Sequence, residues 1–394
     1  MAIDKKIIRL AIDGNEANVE RRVGSNFYAF ELLRAMKRVG ERQQKWRVTV
    51  LLAKPPIADL PPESRDWRYR IVGPKAFWTQ WALSWHLFWR RRDYDVFFTP
   101  GHYAPRLSFV PYISSVMDLA FLYFPEQFRS KDRWQLTEWT RYSVAKAVKV
   151  LTISRATQKD VCREYQKSKA QTFVAYPALG PRIRLTAIDK KRLAEKLPLS
   201  KPYFLYLGTL QPRKNLLKLI QAFEQVKRYL QAQQGDARLR RWQKLQLLIA
   251  GKIGWLADDI LAAAKQSPFS DSIHLLGYVD EKSKQYLLMN AEALILVGFY
   301  EGFGIPPLEA MRYQTISIVS NRSSLPEVVG PAGILVRPDR VGQIARAMKK
   351  VINMKTMEKR RYRQLMKEQI ERFSWTKSAE LVLKQLAEVA GAKQ

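Results

Sequence analysis

Cysteine is almost missing from this chain. The single one, Cys162, cannot form an intrachain disulfide, so a disulfide-stapled secreted scaffold is excluded and a reducing compartment fits. Histidine is scarce, at three residues, and no clustered metal ligands occur, so no metal is expected. No uninterrupted apolar run approaches the ~20 residues that span a bilayer. The N-terminus, "MAIDKKIIRLAIDG", has no apolar signal-peptide core. A soluble or peripherally bound protein is expected. Internal repeats of short period and low-complexity tracts are absent as well. Acids are few against bases: 36 Asp+Glu face 68 Lys+Arg, a formal net charge of +32. Such an excess attracts an anion, whether nucleotide phosphate, nucleic acid or an acidic membrane surface, and does not choose among them.

What is present is regular alternation. With 394 residues and 47% hydrophobic content, two or three domains with a sizeable core are expected. Short β-branched runs, "KIIRLAID", "WRVTVLLA", "YRIVG", "DVFFTP", "YISSVMD", "KVLTIS" and "TFVAYPA", read as strands. A second series follows a basic, polar stretch at 182–200: "YFLYLGT", "LQLLIAG", "IHLLGYV", "ALILVG", "ISIVS" and "GILVRP". Helical patterns lie between them, including 24–39, 130–147, 155–168, 214–234, 281–291, 340–353 and 356–372. Strand–helix alternation of this kind predicts parallel sheets covered on both faces. The fold class is therefore α/β, with two tandem Rossmann-like, doubly wound domains and a ligand cleft between them. Boundaries are placed at 1–182, 183–373 and a C-terminal helix, 374–394, that packs back on the first domain. Ser374 is its expected N-cap. "KPPIADLPPESRDW" reads as a proline-rich surface loop.

The most informative stretch is "LILVGFYEGFGIPPLEAM", 294–311. Glu301 follows the carboxyl end of a buried strand. Pro306 and Pro307 suit the first turn of a helix, where a missing N–H costs nothing, and Glu309 is expected in that first turn. Gly302 and Gly304 let the backbone turn tightly and approach a ligand. A carboxylate accepts two hydrogen bonds side by side, which matches a vicinal diol of a sugar or ribose, and loop N–H groups receive phosphate or hydroxyl oxygens. The helix macrodipole alone accounts for an acid at Glu309; the whole string is read as a binding loop. A second strand–turn–helix, "YFLYLGTLQPRKNLLKLIQAF", sets Arg213 and Lys214 where cations oppose the helix dipole. An anion held between them and the helix N–H groups gives that placement a reason, although a solvated basic pair is common in so basic a chain. In "AIDGNEANVERRVGSNFYAFELLRAM", Asp13 ends the first strand and Gly24 precedes a helix. The full G-x-G-x-x-G fingerprint is not there, so Gly24 is a weak candidate for phosphate or acceptor contact.

In this order the motifs resemble the retaining glycosyltransferases of family 4. "GFYEGFGIPPLEAM" is similar to that family's Glu–seven–Glu motif, and "GTLQPRKN" to its phosphate loop. "VLTISRATQKDV" and "NRSSLPEVVGPAGILVRPDR" resemble its interdomain strand–helix and its closing C-terminal segment. The resemblance runs from "AIDGNEAN" to "FSWTKSAELVL" and is strongest over 203–338. It implies the GT-B fold, with a nucleotide-diphosphate sugar as co-substrate in the C-terminal domain, no cofactor and no metal. It implies that Glu301 contacts the donor sugar, Glu309 holds the ribose hydroxyls, and Arg213 and Lys214 neutralise the departing diphosphate. Phe303 and Gly304 supply backbone near the sugar, with Gly302, Thr209 and Gly24 also on the donor side. The reaction so implied moves a hexose of the mannose or glucose kind to a saccharide or lipid-linked acceptor, with retention, in surface polysaccharide or glycolipid synthesis. The setting is the cytoplasm, with peripheral attachment to the inner membrane face.

The chain departs from the family pattern in places. The family's His-Asp pair at the end of an N-domain strand reads Met117-Asp118 here. Asp118 is kept as a catalytic candidate, whereas Met cannot donate a strong hydrogen bond. His102, in "TPGHYAPR", is the candidate substitute, and an ordinary structural histidine is an equal reading. Thr209 stands where an arginine is common, which leaves more of the charge to Arg213. A further stretch, "KAFWTQWALSWHLFWRRRDYD", spaces Trp78, Trp81, Trp85, Phe88 and Trp89 at helical intervals before three arginines. Core packing and an interfacial helix on anionic lipid are both open for it. Competing functions are a sugar-nucleotide epimerase, whose acid/base set is not found, a degenerate protein that only binds nucleotide sugar, and a basic nucleic-acid-binding protein. The last matches no known module.

Overall fold

The computed structural model describes residues 7–22, 24–101, 103–196 and 201–391. It divides into two compact units, residues 1–178 with 373–394, and residues 179–372. All thirteen apolar runs form strands.

In the first unit β1 (Ile8–Asp13) leads to α1 (Ser25–Gln43), β2 (Trp46–Leu52) and β3 (Trp67–Ile71). Then come α2 (Ala82–Trp89), β4 (Val96–Thr99), β5 (Tyr112–Val116), α3 (Ala120–Tyr123) and α4 (Ser130–Lys146). The run closes with β6 (Lys149–Thr152), α5 (Arg155–Glu164) and β7 (Thr172–Val174). The strands pair in parallel in the order β3-β2-β1-β4-β5-β6-β7. Every residue of β4 and β5 is buried, whereas edge strand β3 alternates toward solvent. Continuous apolar runs are what a parallel strand covered on both faces requires. Helix α5 starts where Ser154 Oγ accepts from Thr157 N at 3.0 Å, a cap worth about 1 kcal/mol.

The second unit opens with α6 (Ala187–Lys196) and β8 (Tyr203–Leu207), then α7 (Leu216–Ala232), β9 (Gln246–Ala250), α8 (Asp258–Gln266) and β10 (Ile273–Gly277). It continues through α9 (Glu281–Asn290), β11 (Ala293–Leu296), α10 (Ile305–Arg312), β12 (Ile316–Ser320), α11 (Leu325–Val329), β13 (Gly333–Val336), α12 (Val341–Ile352) and α13 (Thr356–Ile370). Its sheet is again parallel, in the order β10-β9-β8-β11-β12-β13. Helix α7 buries Leu216, Leu219, Ile220, Phe223, Val226 and Leu230, spaced to form one face. Each such side chain contributes about 1.5–3 kcal/mol by leaving water.

The last helix, α14 (Trp375–Gly391), belongs to the first unit. Trp375 packs on Tyr28 and Phe27 of α1, with ring centroids 5.5 and 6.1 Å apart. The cap at Ser374 is long, its Oγ accepting from Lys377 N at 3.4 Å. Aromatic packing therefore holds this helix more than its cap does. Among the described residues no helix is long and apolar enough to cross a membrane.

Candidate active site

In the second unit the chain runs outward from β8 through β9 to β10, then returns to β11 on the other side of β8. Loops leaving two adjacent strands in opposite directions open a crevice at their carboxyl ends, where open parallel sheets bind ligands. Here those loops are the ones after β8 and β11. They carry Arg213 with Lys214, and Glu301.

The structure brings these three together. Lys214 Nζ donates to Glu301 Oε1 at 2.5 Å, and the two side chains are only 11% and 12% exposed. Glu301 is thus mostly buried beside a cation. Arg213 Nη1 donates to the Tyr300 carbonyl at 3.2 Å, and the Arg213 carbonyl accepts from Phe299 N at 2.8 Å. Both cations sit on a short 3-10 turn, Pro212–Lys214, ahead of α7. The joint is locked by Asn215, which takes a left-handed conformation (φ 61°). Its buried Nδ2 donates to the carbonyls of Val297 (3.0 Å) and Pro338 (2.7 Å), tying the loops after β8, β11 and β13 to one another. Thr209 is half-buried, and its carbonyl accepts from Tyr206 Oη at 3.1 Å.

Past Glu301 the loop is held from β12's side. Ser323 and Ser324 Oγ donate to the Glu301 carbonyl at 2.6 and 2.8 Å, and Ser324 Oγ also reaches the Phe303 carbonyl at 2.8 Å. Gly302 and Phe303 are buried. Gly304 has φ 98°, a conformation that asks for glycine, and a Cβ there would press on the Leu325 Cδ2 methyl at 2.6 Å. One expectation is corrected here. Glu309 is not in the first turn of α10. That helix starts at Ile305, its first turn holds no acid, and Glu309 is its fifth residue. The prolines do sit in the first turn, but they place Glu309 one turn deeper, where the macrodipole does little.

Its partner explains it instead. Glu309 Oε1 accepts from Lys284 Nζ at 2.6 Å, and Lys284 also donates to Glu281 at 2.8 Å. Burial pushes the Glu309 pKa up, and the attraction of Lys284 only partly offsets it. Burial acts to lower Lys284, yet Glu309 and Glu281 outweigh it and leave its pKa raised. Lys284, Asn215, Ser323 and Ser324 escaped the sequence reading. Only Lys284 stands in a recognisable setting, four residues past Asp280, whose Oδ1 caps α9 through Ser283 N at 2.7 Å.

The remaining candidates lie in the first unit. Asp118 follows β5 and accepts from Ala120 N at 2.9 Å, which starts α3. Met117 is 5% exposed, so its side chain packs inward. Gly24 begins α1 with φ 54° and its surroundings are open; conformation, not crowding, asks for glycine there. His102 lies outside the described residues. Asp13 is buried and accepts from Asn15 N at 3.0 Å. Burial lifts it to about 7, against the pull of Asn15 and with the push of Glu16. A carboxyl raised above its unfolded value near 3.9 stabilises the fold below that value and loses the contribution as pH climbs to about 7. Asp13→Asn is therefore expected to melt a few degrees higher than wild type at pH 8, with the gain shrinking at pH 5. A gain independent of pH in differential scanning calorimetry would refute the charged-burial account. Among the described residues no group of three or more His, Cys, Asp or Glu is placed to hold a metal ion.

Residues 187–372 match the family model described as glycosyl transferases group 1. The chain is 30% identical over 288 residues to the O-antigen chain mannosyltransferase B of Escherichia coli, covering 70% of this chain and 68% of that protein. It is 26% identical over 242 residues to the serotype-specific mannosyltransferase WbdA of Escherichia coli, where the match covers 59% of this chain and only 28% of that longer protein. Among solved structures, Anabaena HepE in complex with UDP and glucose superposes with a TM-score of 0.67 at 16% identity, covering 97% of this chain and 99% of that one. Likeness at that identity speaks to the fold.

Proposed function

Because this chain belongs to the glycosyl transferases group 1 family, with two Rossmann-like units of the GT-B kind, we propose that it moves a hexosyl group, mannosyl in the first instance, from a nucleoside-diphosphate sugar to a saccharide or lipid-linked acceptor with retention of configuration. That it is a glycosyltransferase follows from the family. The relatives named as O-antigen mannosyltransferases support mannose and a role in surface polysaccharide synthesis. A cytoplasmic setting accords with the single cysteine.

One observation carries the donor site: Lys214 and Glu301 meet, mostly buried, across the β8 and β11 loops. In the proposed reaction the bond from the sugar's anomeric carbon to the diphosphate oxygen breaks, and negative charge grows on the phosphates. Lys214 and Arg213 face that charge and stabilise it, as preorganised cations do. No metal is needed in this reading. The acceptor hydroxyl attacks on the same face, forms the new bond to the anomeric carbon, and passes its proton to the departing phosphate oxygen. Glu301, displaced from Lys214 when phosphate arrives, accepts sugar hydroxyls. Glu309 accepts the ribose hydroxyls. Gly302, Phe303, Gly304 and Thr209 give backbone contacts to the donor.

Buried Met117 favours a second reading, a protein that binds nucleotide sugar without turning it over. One experiment orders the two. Thermal melting with UDP, GDP, ADP and their sugars is expected to rise with one nucleotide by about 5–10 °C at a hundredfold excess over Kd. Release of that nucleoside diphosphate with a saccharide or lipid-extract acceptor then marks a transferase. Binding without release marks the second reading, and no rise with any nucleotide rejects both.

A further inference from the structure

Helix α2 resolves the tryptophan-rich stretch into two faces. Leu83 and Leu87 are fully buried and Trp78, just ahead of the helix, is 7% exposed. Trp81, Trp85 and Trp89 line the other side and are exposed. At intervals of four residues they form a single stripe along the helix. Trp85 and Trp89 stack with centroids 6.3 Å apart, and Phe88 meets Phe109 at 4.8 Å. Phe77, Leu107 and Phe109 add exposed apolar area beside the stripe. The loop carrying Leu107 and Phe109 is tied to the segment ahead of α2, since Arg106 N donates to Gln80 Oε1 at 3.0 Å. Other large apolar side chains are exposed elsewhere, Trp134, Ile253 and Met357 among them, but here three tryptophans on one helix face gather beside Phe77, Leu107 and Phe109, and a contiguous apolar patch of this kind marks a binding face.

The surrounding charge narrows the partner. Residues 67–92 contain Arg68, Arg70, Lys75, Arg90, Arg91 and Arg92, all exposed; the acids flanking them are Asp66 and Asp93, and Arg90 Nη1 lies 3.2 Å from Asp93 Oδ2. Arg90, Arg91 and Arg92 directly follow the last tryptophan of the stripe, whereas Arg68 and Arg70 lie on edge strand β3 and Lys75 in the loop after it. Burial, then the charges of Arg70 and Arg90, lower His86 on α2 to about 4, against the pull of Asp93. Arg91 lies over the Phe88 ring at 4.9 Å. A second copy of the chain would set these cations against themselves in a two-fold contact. Tryptophan at the headgroup level, with arginine beside it, is the composition that settles on an anionic bilayer.

We propose that the α2 face, with the loop at 106–109, docks the first unit on the surface of an anionic phospholipid bilayer, the tryptophans entering the headgroup region and the arginines pairing with lipid phosphates. The proposal does not rest on the transferase reading, because vesicle binding needs neither donor nor acceptor.

Cosedimentation tests it, with vesicles of phosphatidylcholine alone and of phosphatidylcholine mixed with phosphatidylglycerol. Wild type is expected to sediment with the mixed vesicles and to release as salt rises. The variant Trp81→Ser/Trp85→Ser/Trp89→Ser is expected to lose about tenfold or more of that partitioning, at an unchanged melting temperature. Trp89→Ser alone, the most exposed of the three at 71%, serves if the triple variant does not fold. Arg90→Gln/Arg91→Gln/Arg92→Gln is expected to remove the preference for the anionic mixture. Equal partitioning of wild type and the tryptophan variants would overturn the proposal. So would wild type that ignores phosphatidylglycerol, and so would a patch whose loss abolishes single-stranded oligonucleotide binding or self-association in sedimentation velocity while vesicle binding is absent.

Discussion

Lys214→Ala is expected to lower kcat roughly 10²–10³-fold, with a smaller change in nucleotide affinity. The argument is differential stabilisation. Lys214 donates to Glu301 at 2.5 Å, and a diphosphate placed there would compete for it. Charge on the leaving oxygen grows as the glycosidic bond stretches, so the cation contributes more to the transition state than to the bound donor. Stability is a confounding effect: removing one member of a mostly buried pair costs about 3–5 kcal/mol, because the other charge is left without it. The double variant Lys214→Ala/Glu301→Gln separates the two. It is expected to recover most of the melting temperature and none of the rate. Lys214→Arg keeps the charge and is expected to retain part of the turnover. Wild-type kcat in Lys214→Ala, measured by nucleoside-diphosphate release, would remove this residue from the chemistry.

Strand positions were legible because parallel, two-sided burial forces uninterrupted apolar runs. "ISIVS" and "LQLLIAG" have no other comfortable environment, and β12 and β9 are buried throughout. The strand–turn–helix units were legible for the same reason, and with them the placement of Arg213, Lys214 and Glu301 at strand ends. The direct contact of Lys214 with Glu301 was not, because 87 positions separate them in the chain. It arises from strand order: β8 and β11 become neighbours only when the chain reverses, and no local pattern records that. The same holds for Lys284, which reaches Glu309 from another helix. Glu309 was misplaced by one turn because a proline pair permits any of the first helical positions. The tryptophan stripe shows a different limit. Period alone reveals that Trp81, Trp85 and Trp89 share a face and that Leu83 and Leu87 share another. Which face turns inward depends on the sheet behind the helix, so the leucines won the core and the tryptophans were left outside.

Glu309→Gln is expected to weaken nucleotide binding roughly 10- to 150-fold, the loss of one charged acceptor worth about 1.5–3 kcal/mol, while kcat at saturating donor changes little. A carboxylate offers two oxygens to a pair of ribose hydroxyls, and the amide offers one oxygen and a donor that meets those hydroxyls less well. Lys284 is the reason the exchange is tolerated by the fold. It keeps Glu281 at 2.8 Å when the charge on Glu309 is removed, so no cation is stranded. The pH dependence has a definite sign. Burial raises the Glu309 pKa, so acidification protonates it earlier than an ordinary glutamate and converts an acceptor into a donor. Wild-type affinity for the nucleoside diphosphate is therefore expected to fall on the acid side of neutrality, whereas the affinity of Glu309→Gln stays flatter over the same range. Isothermal titration of both proteins from pH 5 to pH 8 reads the difference. Parallel profiles would assign the acid-side loss to another group and leave Glu309 as a structural partner of Lys284 alone.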